Sequence, residues 1–360
     1  MRALAARGDE VVVLDAFTAP VHGGGFEPAL PPDVHVIEGD VRSGEHWLRA
    51  LDGVDAVVHL AAYQDYLPDF SRFFAVNATG TALLYELIVE HRLPVRRVVI
   101  ASSQSVYGEG AARCEQHGVV VPEQRDPDAM ARGDYDVHCP HCGGVVEAVP
   151  TTEDLAQPRN AYGISKLAAE TAALALGAQH DIPTAALRYA IVHGPGQSPR
   201  NAYSGLLRSA CLSLLDGRAP VVFEDGRQLR DYVAIDDVVA ANLIALDHAD
   251  APGRAYNVGG AHSWSVLQVL DALNEIVEHP REPEIPGAYR VGDVRHTIGD
   301  LSRLRALGWE PSTDLPATWR AYWEWLRTMG ADASIVTEAF ADMRERGVLR
   351  TSNPSGTTNR

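Results

Sequence analysis

The chain contains 360 residues and carries a formal net charge of −17. With 46% hydrophobic and 22% charged residues, it has the composition of a globular protein, which excludes fibrous and wholly disordered classes. Because the excess of acidic residues repels phosphate backbones and anionic lipids, we expect neither nucleic acid nor a membrane as a partner.

Short runs rich in Val and Ile alternate with helical stretches along the chain. The predicted strands are Val11–Asp15, Val34–Asp40, Asp55–Ala62, Arg97–Ser103, Pro183–Val192, Pro220–Glu224 and Ala255–Val258. The predicted helices are Phe70–His91, Ala161–Ala178, Tyr203–Leu215, Asp236–Leu246 and Trp264–Val277. Non-alternating apolar strands separated by helices predict an α/β fold with a doubly wound parallel sheet.

Pro and Gly become frequent from about Tyr189, which indicates a second lobe. We predict a main domain over residues 1–188, with an insertion at 109–150. Residues 189–330 mainly form a smaller lobe, from which 220–248 return to the main domain. Residues 331–350 are predicted to form a C-terminal helix, and the polar residues 351–360 a disordered tail.

Neither a secretory leader nor a membrane span is evident. The apolar runs are far shorter than the roughly 20 residues that a span requires. Four cysteines are too few for a disulfide scaffold. We therefore expect a cytoplasmic protein.

Asp15 ends the first predicted strand. At this place in a dinucleotide-binding fold, a carboxylate binds the adenosine ribose and favours NAD over NADP; a strand-ending turn residue is the alternative. The glycine-rich phosphate turn is expected about 20 residues upstream, yet Gly8 is the only glycine before Asp15. The first strand and its turn are therefore missing from this sequence, and Arg2–Arg7 is predicted to end the helix that follows them.

Two explanations of the missing strand remain open. The natural protein starts upstream of Met1, or the mature chain has no central strand. We expect the first, because a central parallel strand is hard to delete without exposing the hydrogen-bonding groups of both its neighbours. A native protein whose intact mass begins at Met1 would contradict it.

Tyr162 and Lys166 lie one helical turn apart, on the same face of the helix that begins at Ala161. An ammonium near a phenol favours the phenolate, so Lys166 is predicted to lower the pKa of Tyr162 from about 10. Such a pair can move a proton on and off a sugar hydroxyl.

Other motifs accompany this pair in a fixed order. They are Asp40-Val41, His59-Leu60-Ala61-Ala62, Asn77-Ala78-Thr79-Gly80-Thr81, Ser102-Ser103-Gln104-Ser105-Val106-Tyr107-Gly108, Leu187-Arg188-Tyr189, His193-Gly194-Pro195-Gly196, Arg230-Asp231-Tyr232-Val233 and Tyr256-Asn257-Val258-Gly259. With this set, residues 1–330 resemble the extended short-chain dehydrogenase/reductase family, specifically its nucleotide-sugar epimerases and dehydratases. The resemblance implies a Rossmann domain over 1–188 that binds NAD, and a substrate-binding lobe over 189–330.

The resemblance also implies residue roles. Ser103, Tyr162 and Lys166 would be catalytic. NAD would be bound by Asp15, Asp40, Val41, Leu60, Ala61, Ala62, Asn77, Tyr162, Lys166 and Tyr189. A nucleotide-diphosphate sugar would be bound by Gln104, Asn201, Arg230 and Arg290, and for the two arginines a surface salt bridge is the alternative.

The residues after Ser103 bear on the reaction. Dehydratases that resemble this chain carry an Asp-Glu pair there and decarboxylases a Glu, whereas this chain has Gln104 and Ser105. Because neither can protonate a leaving hydroxyl, the sequence predicts a 4-epimerase that passes through a 4-keto sugar. A dehydrogenase, reductase or dehydratase of the same fold, and a non-catalytic cofactor-binding protein, are the alternatives.

Within the family, the insertion and residues 196–203 look most like dTDP-L-rhamnose 4-epimerases. Ile191 stands where many relatives have an Asn that touches the nucleotide diphosphate region, so the substrate contacts must differ there. His193 stands where relatives often have Tyr, and we expect it to pack in the core.

The insertion contains a predicted zinc knuckle. Cys114, His117, Cys139 and Cys142 have ligand spacing, and Gly118 and Gly143 permit the tight turns. Four protein ligands leave no open position, so the metal would be structural. The alternatives are a redox pair, ligands that no longer bind, or a fourth ligand drawn from His138 or His141. Cys211 is predicted to be a core residue.

The helices Phe70–His91 and Ala161–Ala178 are long and apolar enough to pair with their symmetry mates. We therefore expect a C₂ homodimer.

Overall fold

The structure is a computed structural model that describes residues 1–19, 21–22, 30–65, 68–201, 205–330 and 332–353. The strands of the main domain lie in two parallel sheets. The smaller pairs β1 (Val12–Asp15) with β2 (His35–Glu38). The larger has four strands, in the order β3 (Ala56–His59), β4 (Arg97–Ser103), β8 (Thr184–Tyr189) and β11 (Arg254–Val258).

Helices cover both faces of the larger sheet. One face packs against α2 (Gly44–Ala50), α4 (Gly80–His91) and α6 (Ala161–Gln179). The other packs against α8 (Ile235–Asp247) and α10 (Ser302–Arg305). A parallel sheet with helices on both faces confirms the predicted doubly wound α/β fold.

Several predicted bounds agree with the structure. β4 has the predicted bounds, α6 extends one residue further, and α1 (Arg2–Ala6) lies where a helix end was expected. Of the residues 220–248 that were predicted to return to the main domain, α8 packs on the larger sheet, whereas Val222 and Tyr232 lie in a different apolar core.

Two strand predictions need correction. Pro183–Val192 forms two strands, β8 and β9 (Ile191–His193), because β9 leaves the larger sheet and pairs with β10 (Leu229–Ala234). Pro220–Glu224 is not a strand, since Val221 makes only an isolated bridge to Glu284.

The helical stretch Phe70–His91 contains α3 (Phe70–Phe73), a π-helical turn (Phe74–Thr79) and α4. By length and composition alone this stretch could cross a membrane, which differs from the expectation that no span is present. In the structure, 44% of its most apolar part is buried inside the protein, as in the core helices of many globular proteins.

A separate apolar core lies in the smaller lobe. It joins β10 to α7 (Gly205–Leu215), α9 (Val266–Asn274) and α11 (Leu315–Thr328). Cys211 is fully buried in it, as predicted. β12 (Ser263–Ser265) pairs antiparallel with β10, and Ser265 caps α9, where the sequence predicts a longer helix from Trp264.

The insertion has its own small sheet, and the C-terminal segment lies beside it. The sheet has the order β6 (Gly118–Val120), β5 (Ala112–Cys114) and β7 (Glu147–Ala148), and α5 (Pro127–Ala131) lies between β6 and β7 along the chain. The C-terminal segment forms α12 (Ser334–Glu345) and β14 (Leu349–Thr351), which pairs with β13 (Ala288–Arg290).

The predicted disordered tail therefore begins too early. Thr351 lies in β14, and Ser352 accepts a hydrogen bond from the Tyr135 hydroxyl of the insertion at 2.8 Å. Residues 354–360 of the predicted tail lie outside the described residues.

Candidate active site

The start of α6 packs tightly against the end of β4. The side chain of Asn160 caps α6 by accepting a hydrogen bond from the backbone N–H of Gly163 at 2.8 Å. A Cβ at Gly163 would lie only 2.3 Å from the carbonyl oxygen of Ser105, so only glycine fits here. This close approach places Tyr162, the second residue of α6, beside Ser103, the last residue of β4.

Tyr162 is buried, and its hydroxyl has polar neighbours. Gln64 donates a hydrogen bond from Nε2 to the phenolic oxygen at 2.7 Å. Burial raises the pKa of Tyr162, whereas hydrogen bonds with Gln64 and Ser103 act in the opposite direction. The prediction that Lys166 lowers this pKa below its usual value is wrong for this structure, because desolvation outweighs the favourable contacts.

Lys166 is buried one turn along α6. Burial lowers its pKa to about 8, and the nearby carboxylate of Glu170 opposes that shift. The ammonium has no hydrogen-bond partner among the residues that the structure describes. A buried cation with unused donors fits a ligand rich in hydroxyl groups, such as the nicotinamide ribose that the resemblance implies.

A buried ion pair holds the next turn of α6 against the sheet. Glu170 binds the guanidinium of Arg188 in β8, with 2.5 Å between Oε1 and a guanidinium nitrogen. Its other oxygen accepts a hydrogen bond from the hydroxyl of Ser102 at 2.6 Å. Because Ser102 precedes Ser103, this contact fixes the end of β4 and the start of α6 relative to each other.

Asp15 and Asp40, the two carboxylates predicted to bind the adenosine end of NAD, differ in their hydrogen-bond partners. Asp15 is half-exposed at the end of β1 and accepts a hydrogen bond from the backbone N–H of Phe17 at 2.8 Å. Asp40 is bound through both oxygens by the side chain of Arg42, which holds the pKa of Asp40 below its usual value. Val41 is buried beside it.

The predicted cofactor path follows β3. Leu60, directly after the strand, is 55% exposed, and Ala62 is also exposed. An exposed apolar side chain at the carboxyl end of a parallel strand is suited to contact a ligand, since ligands bind at this edge of open α/β sheets. Ala61 is partly buried between them.

Two other predicted cofactor residues use their side chains within the protein. The Asn77 amide accepts a hydrogen bond from the backbone N–H of Tyr63 at 2.7 Å and donates one to the hydroxyl of Ser165 at 2.9 Å. The hydroxyl of Tyr189 donates to Asn242 of α8 at 2.8 Å. Asn77 therefore positions the loop after β3 against α6, and the Tyr189 hydroxyl is committed to α8.

Arg230 and Arg290, predicted to bind substrate, lie around Asp293. Arg290 pairs with the Asp293 carboxylate at 2.6 Å, and Arg230 lies 3.9 Å from the same oxygen. Burial alone would raise the pKa of Asp293, but Arg290, Arg230 and Arg125 together hold it below its usual value. The two arginines therefore lie around one partly buried carboxylate, and their own side chains are only 12% and 17% exposed.

Gln104 and Asn201 are the other two residues predicted to bind substrate. Gln104 begins the short 3₁₀ turn after β4, and Asn201 is partly buried before α7. His193 is buried and packs on the ring of Tyr232, with 5.0 Å between ring centres, as expected, but neither of its ring nitrogens has a hydrogen-bond partner among the described residues. Of the stretch 196–203, residues 202 and 203 lie outside the described residues.

The four predicted metal ligands converge in the insertion. The ligand atoms of Cys114, His117, Cys139 and Cys142 all lie within 4.8 Å of one another. His117 Nδ1 is 3.5 Å from the Cys114 sulfur and 3.6 Å from the Cys139 sulfur. The sulfurs of Cys114 and Cys142 are 3.7 Å apart.

The two glycine turns, and the positions of the alternative ligands His138 and His141, are consistent with a cluster of Cys114, His117, Cys139 and Cys142. Gly118 and Gly143 follow the two knuckles with φ of +68° and +70°, a conformation that favours glycine. His138 hydrogen-bonds the carbonyl of Gly143 and the Asp134 carboxylate, so both of its ring nitrogens are in use. The ring of His141 contacts that of His117 at a tilt of 52°, outside the cluster that the four ligand atoms form.

Sequence patterns did not identify Gln64 or Arg125. Gln64 lies 98 positions from Tyr162, in the loop after β3, and its direction depends on how that loop runs. Arg125 is buried in the insertion, and one of its partners is the backbone carbonyl of Asp293, 168 positions away. Neither contact has a local pattern that could predict it.

Comparison with protein families identifies one match. The model of the NAD dependent epimerase/dehydratase family matches residues 1–127 and 141–259. The unmatched residues between these ranges lie within the insertion.

Characterised relatives cover most of the chain. A dTDP-L-rhamnose 4-epimerase of Burkholderia thailandensis is 32% identical over 321 residues, which are 87% of this chain and 86% of that protein. A UDP-glucose 4-epimerase of Corynebacterium glutamicum is 27% identical over 94% of this chain and 92% of its own length.

Solved structures share the fold. The UDP-glucose 4-epimerase of Thermotoga maritima, solved with UDP-glucose, superposes with a TM-score of 0.73 and 25% identity, over 91% of this chain and 94% of that one. The protein MoeE5, solved with UDP-glucuronic acid and NAD, gives a TM-score of 0.71 with 28% identity over the same shares of the two chains.

Proposed function

This chain belongs to the NAD dependent epimerase/dehydratase family, and we propose that it is an NAD-dependent nucleotide-sugar 4-epimerase. The observation that carries the proposal is the convergence of Ser103 and Gln64 on the hydroxyl of Tyr162, at the carboxyl end of a parallel sheet, with the buried Lys166 one helical turn further along α6. The residues directly after Ser103 are Gln104 and Ser105, which cannot serve as the acid that dehydration requires.

Each residue has a defined task in this reaction. Tyr162 takes the proton of the C4 hydroxyl and later returns it to the same oxygen. Gln64 and Ser103 hydrogen-bond the phenolic oxygen and stabilise its deprotonated form. Lys166 binds the cofactor ribose with an ammonium that no described residue uses. When bound, NAD supplies the acceptor and donor of the C4 hydride.

The proposed substrate is a dTDP- or UDP-linked sugar, with dTDP-L-rhamnose as the first candidate. A dTDP-L-rhamnose 4-epimerase is similar to this chain over most of its length. Arg230 and Arg290 are the proposed ligands of the diphosphate, because guanidinium groups bind phosphate oxygens through two parallel hydrogen bonds. Binding would transfer part of their charge interaction from Asp293 to the phosphates.

Substitution of the phenol tests the activity. We expect Tyr162→Phe to lower turnover by about a hundredfold to ten-thousandfold, because it removes the general acid and base. C4 inversion is followed by NMR with dTDP-L-rhamnose, UDP-glucose and UDP-glucuronic acid. The control Tyr322→Phe removes a buried hydroxyl in the core of the smaller lobe and should retain turnover. Turnover by Tyr162→Phe at the wild-type rate would contradict the proposal, and stoichiometric NADH would favour a dehydrogenase.

The role of Gln64 is tested by the pH dependence of turnover. Gln64→Leu removes a donor to the phenolic oxygen, so the pKa of Tyr162 rises and the rate reaches its plateau about one pH unit higher. Gln64→Glu places a carboxylate there and should shift the profile further in the same direction. Gln179→Leu, at the exposed end of α6, is the matched control. An unshifted profile for Gln64→Leu would exclude this role.

We also propose that the insertion binds one structural zinc ion through Cys114, His117, Cys139 and Cys142. The separations of their ligand atoms support this, since a tetrahedral ion bonded at about 2.0–2.3 Å holds its ligands between three and four ångströms apart. In a cytoplasmic protein, which we propose this to be, thiolates stay reduced and available for zinc. Four ligands leave no position for catalysis.

Metal analysis tests the zinc site. We expect about one zinc per chain in the wild type and nearly none in Cys139→Ser, because structural zinc requires all four ligands. Cobalt substitution should give the visible absorption of a tetrahedral thiolate site. Cys211→Ala, in the core of the smaller lobe, should keep its zinc. Wild-type protein that holds no zinc, or that carries a Cys139–Cys142 disulfide, would contradict the site.

The proposed assembly is a C₂ homodimer. Phe70, Phe74 and Val89 are 62%, 38% and 39% exposed on the helical stretch Phe70–His91, and Ile164 of α6 is 42% exposed. Pairing these apolar side chains with a second copy would remove them from water. Light scattering should give twice the monomer mass; a monomer at micromolar concentration would contradict it.

The missing first strand stays a prediction. Within the described ranges, β1 has a strand partner only in β2, and β3 only in β4. A further parallel strand between β1 and β3 would unite the two sheets into one, and the glycine turn after it would lie next to Asp15. The unpaired strand edges support this proposal.

A further inference from the structure

Arg125 joins the insertion to the smaller lobe from a buried position. Its side chain is 3% exposed and contacts two carboxylates, Glu109 at 3.3 Å and Glu224 at 3.0 Å. Its guanidinium also donates hydrogen bonds to the backbone carbonyls of Tyr135 at 3.1 Å and Asp293 at 2.9 Å. These four contacts of one guanidinium are thus directed to both parts of the protein.

A second buried arginine completes the network. The guanidinium of Arg295 binds Glu224 at 2.7 Å and Asp225 at 2.7 Å, and its backbone N–H donates to Glu109 at 2.7 Å. Glu109 and Glu224 therefore each bridge Arg125 and Arg295. Because these side chains are almost fully buried, loss of the Arg125 guanidinium leaves Glu109 with only the backbone N–H of Arg295 and Glu224 with only the Arg295 guanidinium, and we expect the segment to rearrange.

The segment 293–295 that this network holds also positions the two arginines proposed to bind substrate. Arg230 donates to the carbonyls of Val294 at 2.9 Å and Arg295 at 2.6 Å. Arg290 binds the side chain of Asp293 at 2.6 Å, while Arg125 binds the backbone of the same residue. The orientation of Arg230 and Arg290 therefore depends on contacts that Arg125 makes from the insertion.

We propose that Arg125 is a positioning residue for Arg230 and Arg290, and that through it the insertion sets the affinity for the nucleotide diphosphate. This inference rests on the proposed function, in which these two arginines bind that diphosphate. Two-point binding of phosphate by guanidinium groups depends strongly on orientation, so small shifts of segment 293–295 weaken it. Arg125 is not expected to contact NAD or the reacting carbon.

The test compares ligands with and without the diphosphate in NAD-loaded protein. The variants are Arg125→Met and Arg125→Lys. Their affinity for UDP and dTDP is measured by calorimetry, and their affinity for uridine and thymidine by NMR titration. We expect the diphosphate affinity to fall about tenfold in Arg125→Met and about threefold in Arg125→Lys, with nucleoside affinity unchanged. In turnover, KM rises and kcat stays within about twofold. Arg132→Met, an exposed arginine of the same insertion, is the matched control.

The outcomes separate the inference from the function on which it rests. Wild-type diphosphate affinity in Arg125→Met would overturn the inference, as would equal losses of nucleoside, NAD and diphosphate affinity, which indicate a general structural role. If Arg125→Met does not fold, Arg125→Lys decides in the same way. If Arg290→Ala and Arg230→Ala both bind UDP and dTDP like the wild type, the proposed diphosphate site is wrong, and the inference fails with it.

Discussion

The close contact between the start of α6 and the end of β4 determines the geometry of the site. Gly163 lies so near the carbonyl of Ser105 that any Cβ would force the two elements apart. About two turns later, Glu170 joins α6 to Arg188 of β8 and to Ser102 of β4. Tyr162 is adjacent to the first attachment and Lys166 lies between the two, so the packing alone fixes both residues near the end of β4 and does not require a ligand.

Burial disfavours the charged forms of both Tyr162 and Lys166. It raises the pKa of Tyr162 and lowers that of Lys166 to about 8, because the interior disfavours phenolate and ammonium alike. The hydrogen bonds to Tyr162 are therefore important, since they offset part of that cost for the phenolate. His59 is kept neutral by the same effect, with a pKa near 3, so Lys166 is not faced by a second cation.

Local pattern predicted many of the elements and the residues that cluster in the insertion, but not the contacts that join distant segments. Apolar runs predict β4 and α6, and residue spacing predicts the cluster of Cys114, His117, Cys139 and Cys142. Pro220–Glu224 has the composition of a strand, yet among the described residues its strand pairing is limited to an isolated bridge between Val221 and Glu284 and does not extend into a ladder. Gln64 and Arg125 were missed because their partners lie far away in sequence. The lowered pKa expected for Tyr162 failed because spacing gives no measure of desolvation.

Arg125 of the insertion contacts Asp293, around which Arg230 and Arg290 lie, and on our inference this contact links affinity for the nucleotide diphosphate to a part of the chain that the family model matches only incompletely. The central claim, transient oxidation at C4, is tested most directly with a nucleotide sugar that carries deuterium at C4. The account predicts a C4-inverted product that retains the deuterium, with no net NADH. An inverted product whose deuterium has exchanged with solvent would contradict it.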